Sequence, residues 1–302
     1  MTLYEETIAS LAKIKGGIPV KNLSSRERVG EHKSVFRDQG MDFHQLREYD
    51  PDRDPVNRIA WNLSAQPGDD LWVREAIETK DTPTVLLADL SSSIDFGMNG
   101  ELSKRKLLLE CTGILALSAA HVQDRVGLVG FTDKIVIDEP AKTGADHAYY
   151  LISRLCAFLE QVPARERRGT DLLAAFAHVR ERYAGSILAI VLSDCIGMEA
   201  IDESPLIARR APKHECIFLM LDDEREFEAK SRFGSVAVEN RETGERAVVP
   251  MRKLPILRKV IEARREKFRE ALREKGIDSA VLTYGSHFEQ LTAFFAERKE
   301  GS

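Results

Sequence analysis

The chain has 302 residues, of which 43% are hydrophobic and 31% charged. Those proportions allow a sizeable buried core and exclude both a disordered chain and a small domain held by disulfides. The formal net charge is −5, whereas a dedicated nucleic-acid binder would carry a basic excess.

The four cysteines, Cys111, Cys156, Cys195 and Cys216, are dispersed and lie in apolar stretches. They read as small buried hydrophobes of a reduced, cytoplasmic protein. No apolar run approaches the roughly 20 residues that a membrane helix needs. The first residues lack the basic and apolar regions of a secretory signal, so no membrane role is expected.

Tyr4, Ile8, Leu11 and Ile14 are spaced for a helix over residues 3–15, stopped at Gly16-Gly17-Ile18-Pro19. Residues 20–66 are polar and irregular, with interleaved aromatics, and residues 71–79 read as an exposed strand. From Thr84 the pattern changes to short apolar runs alternating with helical stretches. Strands are expected at residues 84–88, 125–131, 135–137, 187–192, 216–221 and 280–284. Helices are expected at 104–122, 146–159, 171–183, 205–211, 254–275 and 287–298. Such alternation specifies an α/β fold, a doubly wound and mostly parallel sheet covered on both faces. Val236-Ala237-Val238 and Ala247-Val248-Val249, around a turn at Thr243-Gly244, read as an inserted β-hairpin near 235–250. The expected organisation is an N-terminal segment, residues 1–80, packing on a main domain, residues 81–300.

Open α/β sheets carry their sites where strands end. The first main-domain strand ends in Asp89-Leu90-Ser91-Ser92-Ser93, another in Ser193-Asp194, and Gly169-Thr170 precedes a helix. Asp89, Ser91, Ser93, Thr170 and Asp194 can therefore converge at one sheet edge. These are hard oxygen donors with no thiolate or imidazole among them. They suit Mg²⁺, or Mn²⁺ or Ca²⁺, rather than zinc. Taken alone, the serines and aspartates also suit helix caps, and Asp95 reads as a cap or surface residue. The histidines show no i, i+4 zinc spacing, and only His32 lies in the polar block. His121, His178 and His214 read as surface or boundary groups in or beside helices. The basic helix at 254–275 reads as a solvated amphipathic element with an apolar line at Leu257, Ile261, Phe268 and Leu272. Pairs Glu262–Arg265, Glu266–Arg269 and Glu270–Arg273 would brace it. Trp61 and Trp72 read as anchors of the N-terminal block.

The Asp-x-Ser-x-Ser, Thr and Asp set, in this order on this pattern of elements, resembles the metal-ion-dependent adhesion site of von Willebrand factor A domains. The resemblance implies that Ser91 and Ser93 ligate the ion directly, Thr170 directly or through water, and Asp89 and Asp194 mostly through water. A partner's Asp or Glu carboxylate would complete the shell. The flanking sequence resembles domain-of-unknown-function family 58 over nearly the whole chain. The residues that carry this are Gly30-Glu31-His32-Lys33-Ser34, Gly40-Met41-Asp42-Phe43, Leu46-Arg47-Glu48-Tyr49, Arg58-Ile59-Ala60-Trp61, Ser64-Ala65 and Leu71-Trp72-Val73-Arg74-Glu75. Glu242-Thr243-Gly244-Glu245 and Phe294-Phe295-Ala296-Glu297-Arg298 also match. The chain departs from that family at Pro51-Asp52-Arg53-Asp54-Pro55, where a Pro-Gly-Asp-Asp turn is usual. Ala60 replaces an acidic residue, and Gln66 an arginine. The resemblance implies a partner among MoxR-class AAA+ ATPases and an adaptor role in protein or cofactor maturation.

Two functions follow as expectations. The first is a non-enzymatic, Mg²⁺-dependent module that grips an acidic side chain. The alternative is a Mg²⁺-dependent phosphoryl-transfer enzyme using Asp89, with Arg53 or Arg58 as the cation near phosphate. A descendant that has lost its ion is a third. The chain has neither a Gly-x-Ser-x-Gly elbow nor a phosphate-binding Gly-x-x-x-x-Gly-Lys loop, so neither serine hydrolysis nor nucleotide hydrolysis is expected.

Overall fold

The computed structural model describes residues 2–14, 44–51, 56, 59, 71–76, 82–95, 103–167, 169–195, 214–223, 235–239 and 246–300. His32, Arg53, Arg58, Ala60, Trp61, Gln66, the helix expected at 205–211 and the turn at Thr243-Gly244 lie outside these residues. The chain divides into two compact units, Met1–Glu27 with Thr82–Ser302, and Arg28–Asp81.

In the smaller unit, β1 (His44–Glu48) pairs antiparallel with β2 (Trp72–Ala76). The pairing continues past its end, where the Tyr49 amide donates to the Leu71 carbonyl at 2.7 Å. The sequence reading placed β1 in irregular chain. His-Gln-Leu-Arg-Glu carries no β-branched or aromatic residue, so its strand conformation comes from the ladder it forms with β2.

The larger unit opens with α1 (Leu3–Leu11), started by a capping box between Thr2 and Glu5. The helix ends earlier than its apolar spacing suggested. It packs on α2 (Ser103–His121) and α3 (Ala145–Gln161). A six-stranded sheet runs β10-β7-β6-β3-β4-β5. Its strands are β3 (Thr84–Asp89), β4 (Val126–Phe131), β5 (Ile135–Lys142), β6 (Ile187–Ser193), β7 (His214–Asp222) and β10 (Asp278–Thr283). All neighbours are parallel except the edge strand β5, which turns back on β4. β5 is longer than the three residues read as a hairpin partner, because the ladder continues through register shifts against β4. β8 (Ser235–Glu239) and β9 (Arg246–Pro250) form the separate antiparallel hairpin expected from their sequence.

Period-two alternation sorts the strand side chains onto two faces. Leu86 and Ala88 of β3 join α1, α2, α3 and α6 (His287–Glu300) in one core. Val85 and Leu87 join the other core, with α4 (Leu172–Arg182) and α5 (Leu254–Glu274). β3 and β6 are buried along their whole length, which is why both read as continuous apolar runs. Each fully buried leucine or valine contributes ~1.5–3 kcal/mol to folding. Phe268 and Leu272 seat the C-terminal half of α5, while Ile256 and Val260 in its first half are exposed. Only Glu266–Arg269 of its expected pairs forms among the described contacts, at 2.9 Å. Glu262 binds Arg258 at 2.7 Å, and Arg265 reaches Asp222 on β7 at 2.8 Å.

The chain leaves β3 toward β4 and later returns to the other side of β3 as β6. The topological switch therefore lies between β3 and β6, and the crevice above their carboxyl ends is where such sheets bind ligands.

Candidate functional site

Asp89 and Ser193 end the two strands at this switch and touch across it. The Ser193 hydroxyl donates to Asp89 Oδ2 at 2.6 Å, and the Ser91 amide donates to Oδ1 at 2.9 Å. Ser91 and Ser93 share a hydrogen bond between their hydroxyls at 2.9 Å. They lie in the tight turn after β3, where Ser92 to Asp95 form a short 3₁₀ segment. Asp89, Ser91, Ser93 and Asp194 are all buried. Burial, then the negative charge of Asp194, pushes the Asp89 carboxyl up to about 7 against the hydrogen bonds that favour its charged form. The two carboxylates are thus near enough for the charge of one to act on the other.

Asp194 has its own counter-charge. Lys104, in the first turn of α2, is fully buried, and its Nζ lies 3.0 Å from Asp194 Oδ2. Cys195 follows with φ of +58° and donates its amide to Ser193 Oγ at 2.9 Å. A non-glycine residue in the left-handed region costs energy, which clusters at functional sites.

The loop that carries Thr170 is tied to the strand ends at both sides. The Arg167 guanidinium donates to the Leu90 carbonyl at 2.9 Å, and its own carbonyl accepts from the Ser92 amide at 2.8 Å. Past Thr170, the Asp171 amide donates to the Thr132 carbonyl at 2.8 Å, and Asp171 caps α4 through Ala174. Gly169 holds φ of +78°, and a Cβ there would meet Asp133 Cβ at 3.2 Å, so this turn requires glycine. Thr170 Oγ1 is buried and has no hydrogen-bond partner. A buried hydroxyl left without a partner is costly and marks a place for a ligand atom or water.

The structure therefore links Asp89, Ser91, Ser93 and Asp194 through direct contacts and mutual charge. It fixes Thr170 on an adjoining loop without a direct contact to the other four among the described hydrogen bonds. Among the described residues no three His, Cys, Asp or Glu side chains gather to hold a metal. Any cation here would need the hydroxyls of Ser91, Ser93 and Thr170 beside the two carboxylates. That donor set fits a hard ion that retains waters.

Lys104 is the residue that sequence reasoning missed. At the start of a helix it reads as an ordinary lysine, and its contact with Asp194 spans 90 residues of chain. Two other readings change. Asp95 is held by Arg167 and Arg105, so it is an ion-pair centre that braces the loop rather than a cap or surface residue. His178 keeps the boundary place on a helix expected of it, on α4 and 3.1 Å from Asp138, while His214 opens β7. All four cysteines are free thiols, and Cys195 and Cys216 are half-buried rather than buried.

No helix among the described residues is long and apolar enough to cross a membrane. The sequence pattern of DUF58, described as a protein of unknown function, matches residues 45–271. Two uncharacterized proteins are similar, Mb1516 of Mycobacterium bovis and Rv1480 of Mycobacterium tuberculosis. Each is 26% identical over 215 residues, or 71% of this chain and 65% of the relative. This chain thus spans about 65% of the length of the curated relatives it matches. Among solved structures, the conserved hypothetical protein BatB from Bacteroides thetaiotaomicron aligns at 13% identity with a TM-score of 0.43. An aerotolerance-related membrane protein from Bacteroides fragilis NCTC 9343 aligns at 14% identity with a TM-score of 0.46. Each alignment covers 72% of this chain and 99% of the other.

Proposed function

The chain belongs to the DUF58 family, and on that premise we propose that it is a cation-dependent protein-binding module of the von Willebrand factor A type. Asp89, Ser91, Ser93, Thr170 and Asp194 would hold Mg²⁺, or Mn²⁺ or Ca²⁺, above the switch between β3 and β6. A cation held there would supply one exchangeable position for the Asp or Glu carboxylate of a protein partner. The partner class is a MoxR-type AAA+ ATPase or its client, met in the cytoplasm, and the module acts as an adaptor in protein or cofactor maturation.

The observation that carries this reading is the joint state of the oxygen donors. Two carboxylates are buried at the sheet's switch point, where the charge of Asp194 raises the proton affinity of Asp89, and the hydroxyl of Thr170, on the loop that Arg167 ties to the strand ends, lacks a partner. A group that must merely cap a helix does not leave such needs unmet. The residues present divide the work. Ser193 and the Ser91 amide hold the Asp89 carboxylate in place, Lys104 holds that of Asp194, and the Arg167 bonds keep the Thr170 loop against the strand ends. The phosphoryl-transfer alternative is less well supported, because both Asp89 oxygens accept hydrogen bonds and the carboxylate is fully buried. A nucleophile needs an open path to the phosphorus.

The test is affinity capture from cell extract with the purified chain as bait, in Mg²⁺ and in chelator. A captured AAA+ ATPase that is lost in chelator and with Asp89→Ala supports the reading, provided the variant keeps its circular dichroism and cooperative melt. Capture that persists in chelator overturns it.

A further inference from the structure

We infer that Lys104 sets the charge of the oxygen cluster: its ammonium opposes cation entry and, once a cation is held, gives the cluster the net positive charge that selects an anionic visitor. This inference rests on the cation-dependent reading proposed above.

Lysine is rarely buried whole, because removing an ammonium from water is expensive unless it is paired. Here the entire side chain is sequestered, and it is among the largest fully buried side chains of the protein. The first turn of α2 delivers it to Asp194 at 3.0 Å. Neighbouring arginines have other duties. Arg167 and Arg105 face Asp95, and Arg265 faces Asp222. Among the described residues, Lys104 is thus the cation held against Asp194, the neighbour whose charge acts on Asp89.

The charge balance decides its effect. With Asp89 and Asp194 both ionised, one ammonium leaves the cluster with one net negative charge. A divalent cation turns that into one net positive charge. A carboxylate arriving at the loaded cluster then neutralises it. Without Lys104 the loaded cluster would be neutral, and the arriving carboxylate would find no excess charge. Removing Lys104 should therefore move two affinities in opposite directions. The cation loses a like-charged neighbour and binds more tightly, while the anion loses an attraction and binds more weakly. In a buried, low-dielectric setting a nearby unit charge changes either affinity by about tenfold or more.

The experiment uses the full chain as wild type, Lys104→Met and Lys104→Gln. Mn²⁺ affinity is measured by titration calorimetry. Acetate affinity is then read on the Mn²⁺-loaded proteins by the loss of water-proton relaxation as acetate displaces bound water. Both variants are expected to bind Mn²⁺ about tenfold or more tightly, and acetate about tenfold or more weakly, than wild type. The glutamine keeps a neutral hydrogen-bond donor for Asp194, so it serves where the methionine variant does not fold. If wild type binds Mn²⁺ and the folded variants bind both ligands no differently, Lys104 is only a packing partner of Asp194. The inference then fails while the cation-dependent reading stands. If only the variants bind Mn²⁺, Lys104 does oppose the cation, and the reading fails for the native chain. If none of the three binds, both fail together.

Discussion

Helix α2 carries charged residues into two buried clusters, and the clusters are built on opposite terms. At its first turn Lys104 meets Asp194, with the second carboxylate of Asp89 close by and the Thr170 hydroxyl unpartnered on the adjoining loop. Further along α2, Glu110 has a hydroxyl and an imidazole, and no second carboxylate, among its described contacts. The Ser10 hydroxyl donates to its Oε1 at 2.5 Å, and His287 Nε2 lies 2.9 Å from its Oε2. The shifts in proton affinity follow. Asp89 is pushed up by burial and by Asp194. Burial also pushes Glu110 up, but His287 and Ser10 outweigh it and hold the carboxyl below its ordinary value. The Glu110 cluster ties α1 and α6 to α2 and has a partner at each carboxylate oxygen, leaving His287 Nδ1 as its one buried atom without any described contact. It is a brace. The Asp89–Asp194 cluster remains short of positive charge where a sheet of this topology binds ligands. A buried polar group is informative about function to the degree that the protein itself leaves it unsatisfied.

The largest effect expected from this contrast comes from Asp194→Ala. The substitution leaves the Lys104 ammonium buried without its carboxylate. Stability in chelator should fall by ~3–5 kcal/mol, measured by urea unfolding followed with circular dichroism. A loss no larger than that of a surface substitution would mean that Lys104 relaxes to solvent, and the two clusters would then no longer differ in kind.

How far each cluster was visible beforehand follows from the range of the interactions involved. The buried strands β3 and β6 were legible because a strand covered on both faces must be apolar throughout. Asp89, Ser91, Ser93 and Asp194 were legible because they stand directly after those strands, and strand order alone brings them together. The role of Lys104 was hidden, since helix periodicity says nothing about a contact made across the sheet edge. The same holds for Arg167, whose bonds to Leu90 and Asp95 cross from one loop to another. It also holds for Glu110, whose partners come from α1 and from the start of α6. β1 was hidden for the opposite reason, because its five residues lack a strand composition and depend on β2.

A smaller effect is expected at the brace. Glu110→Gln keeps the shape and one acceptor but removes the charge, and should cost ~1–2 kcal/mol at pH 6. The sign of its pH dependence follows from the lowered carboxyl. In the unfolded chain Glu110 takes up its proton near the ordinary value of 4.5, and in the native state only at lower pH. Its contribution is therefore whole above that value and is lost as the pH falls through the native one. The stability gap between wild type and variant should stay open at pH 6 and close steadily below about pH 4.5. Denaturant unfolding at each pH measures it. Mn²⁺ affinity should be the same in both proteins. A Glu110→Gln variant with altered Mn²⁺ affinity would show that α2 couples its two clusters.

The smallest effect on stability should belong to the residue that separates the two clusters most clearly. Thr170→Val replaces a buried, unpartnered hydroxyl with a methyl group of similar size. No hydrogen bond is lost, and the cost of holding a polar atom away from water disappears. Unfolding free energy should therefore change by less than about 1 kcal/mol, or rise slightly. A purely structural Thr170 predicts nothing further. A Thr170 that supplies an oxygen to a cation predicts a several-fold loss of Mn²⁺ affinity in the same variant, with Asp89 and Asp194 untouched. Stability and affinity then move independently, which no residue of the Glu110 brace can show, because there the bonds that would be lost are the ones that hold the helices together. If Thr170→Val binds Mn²⁺ as wild type does, the unmet hydroxyl is served by water alone, and the donor set above the switch shrinks to the residues of β3, β6 and the turns that follow them.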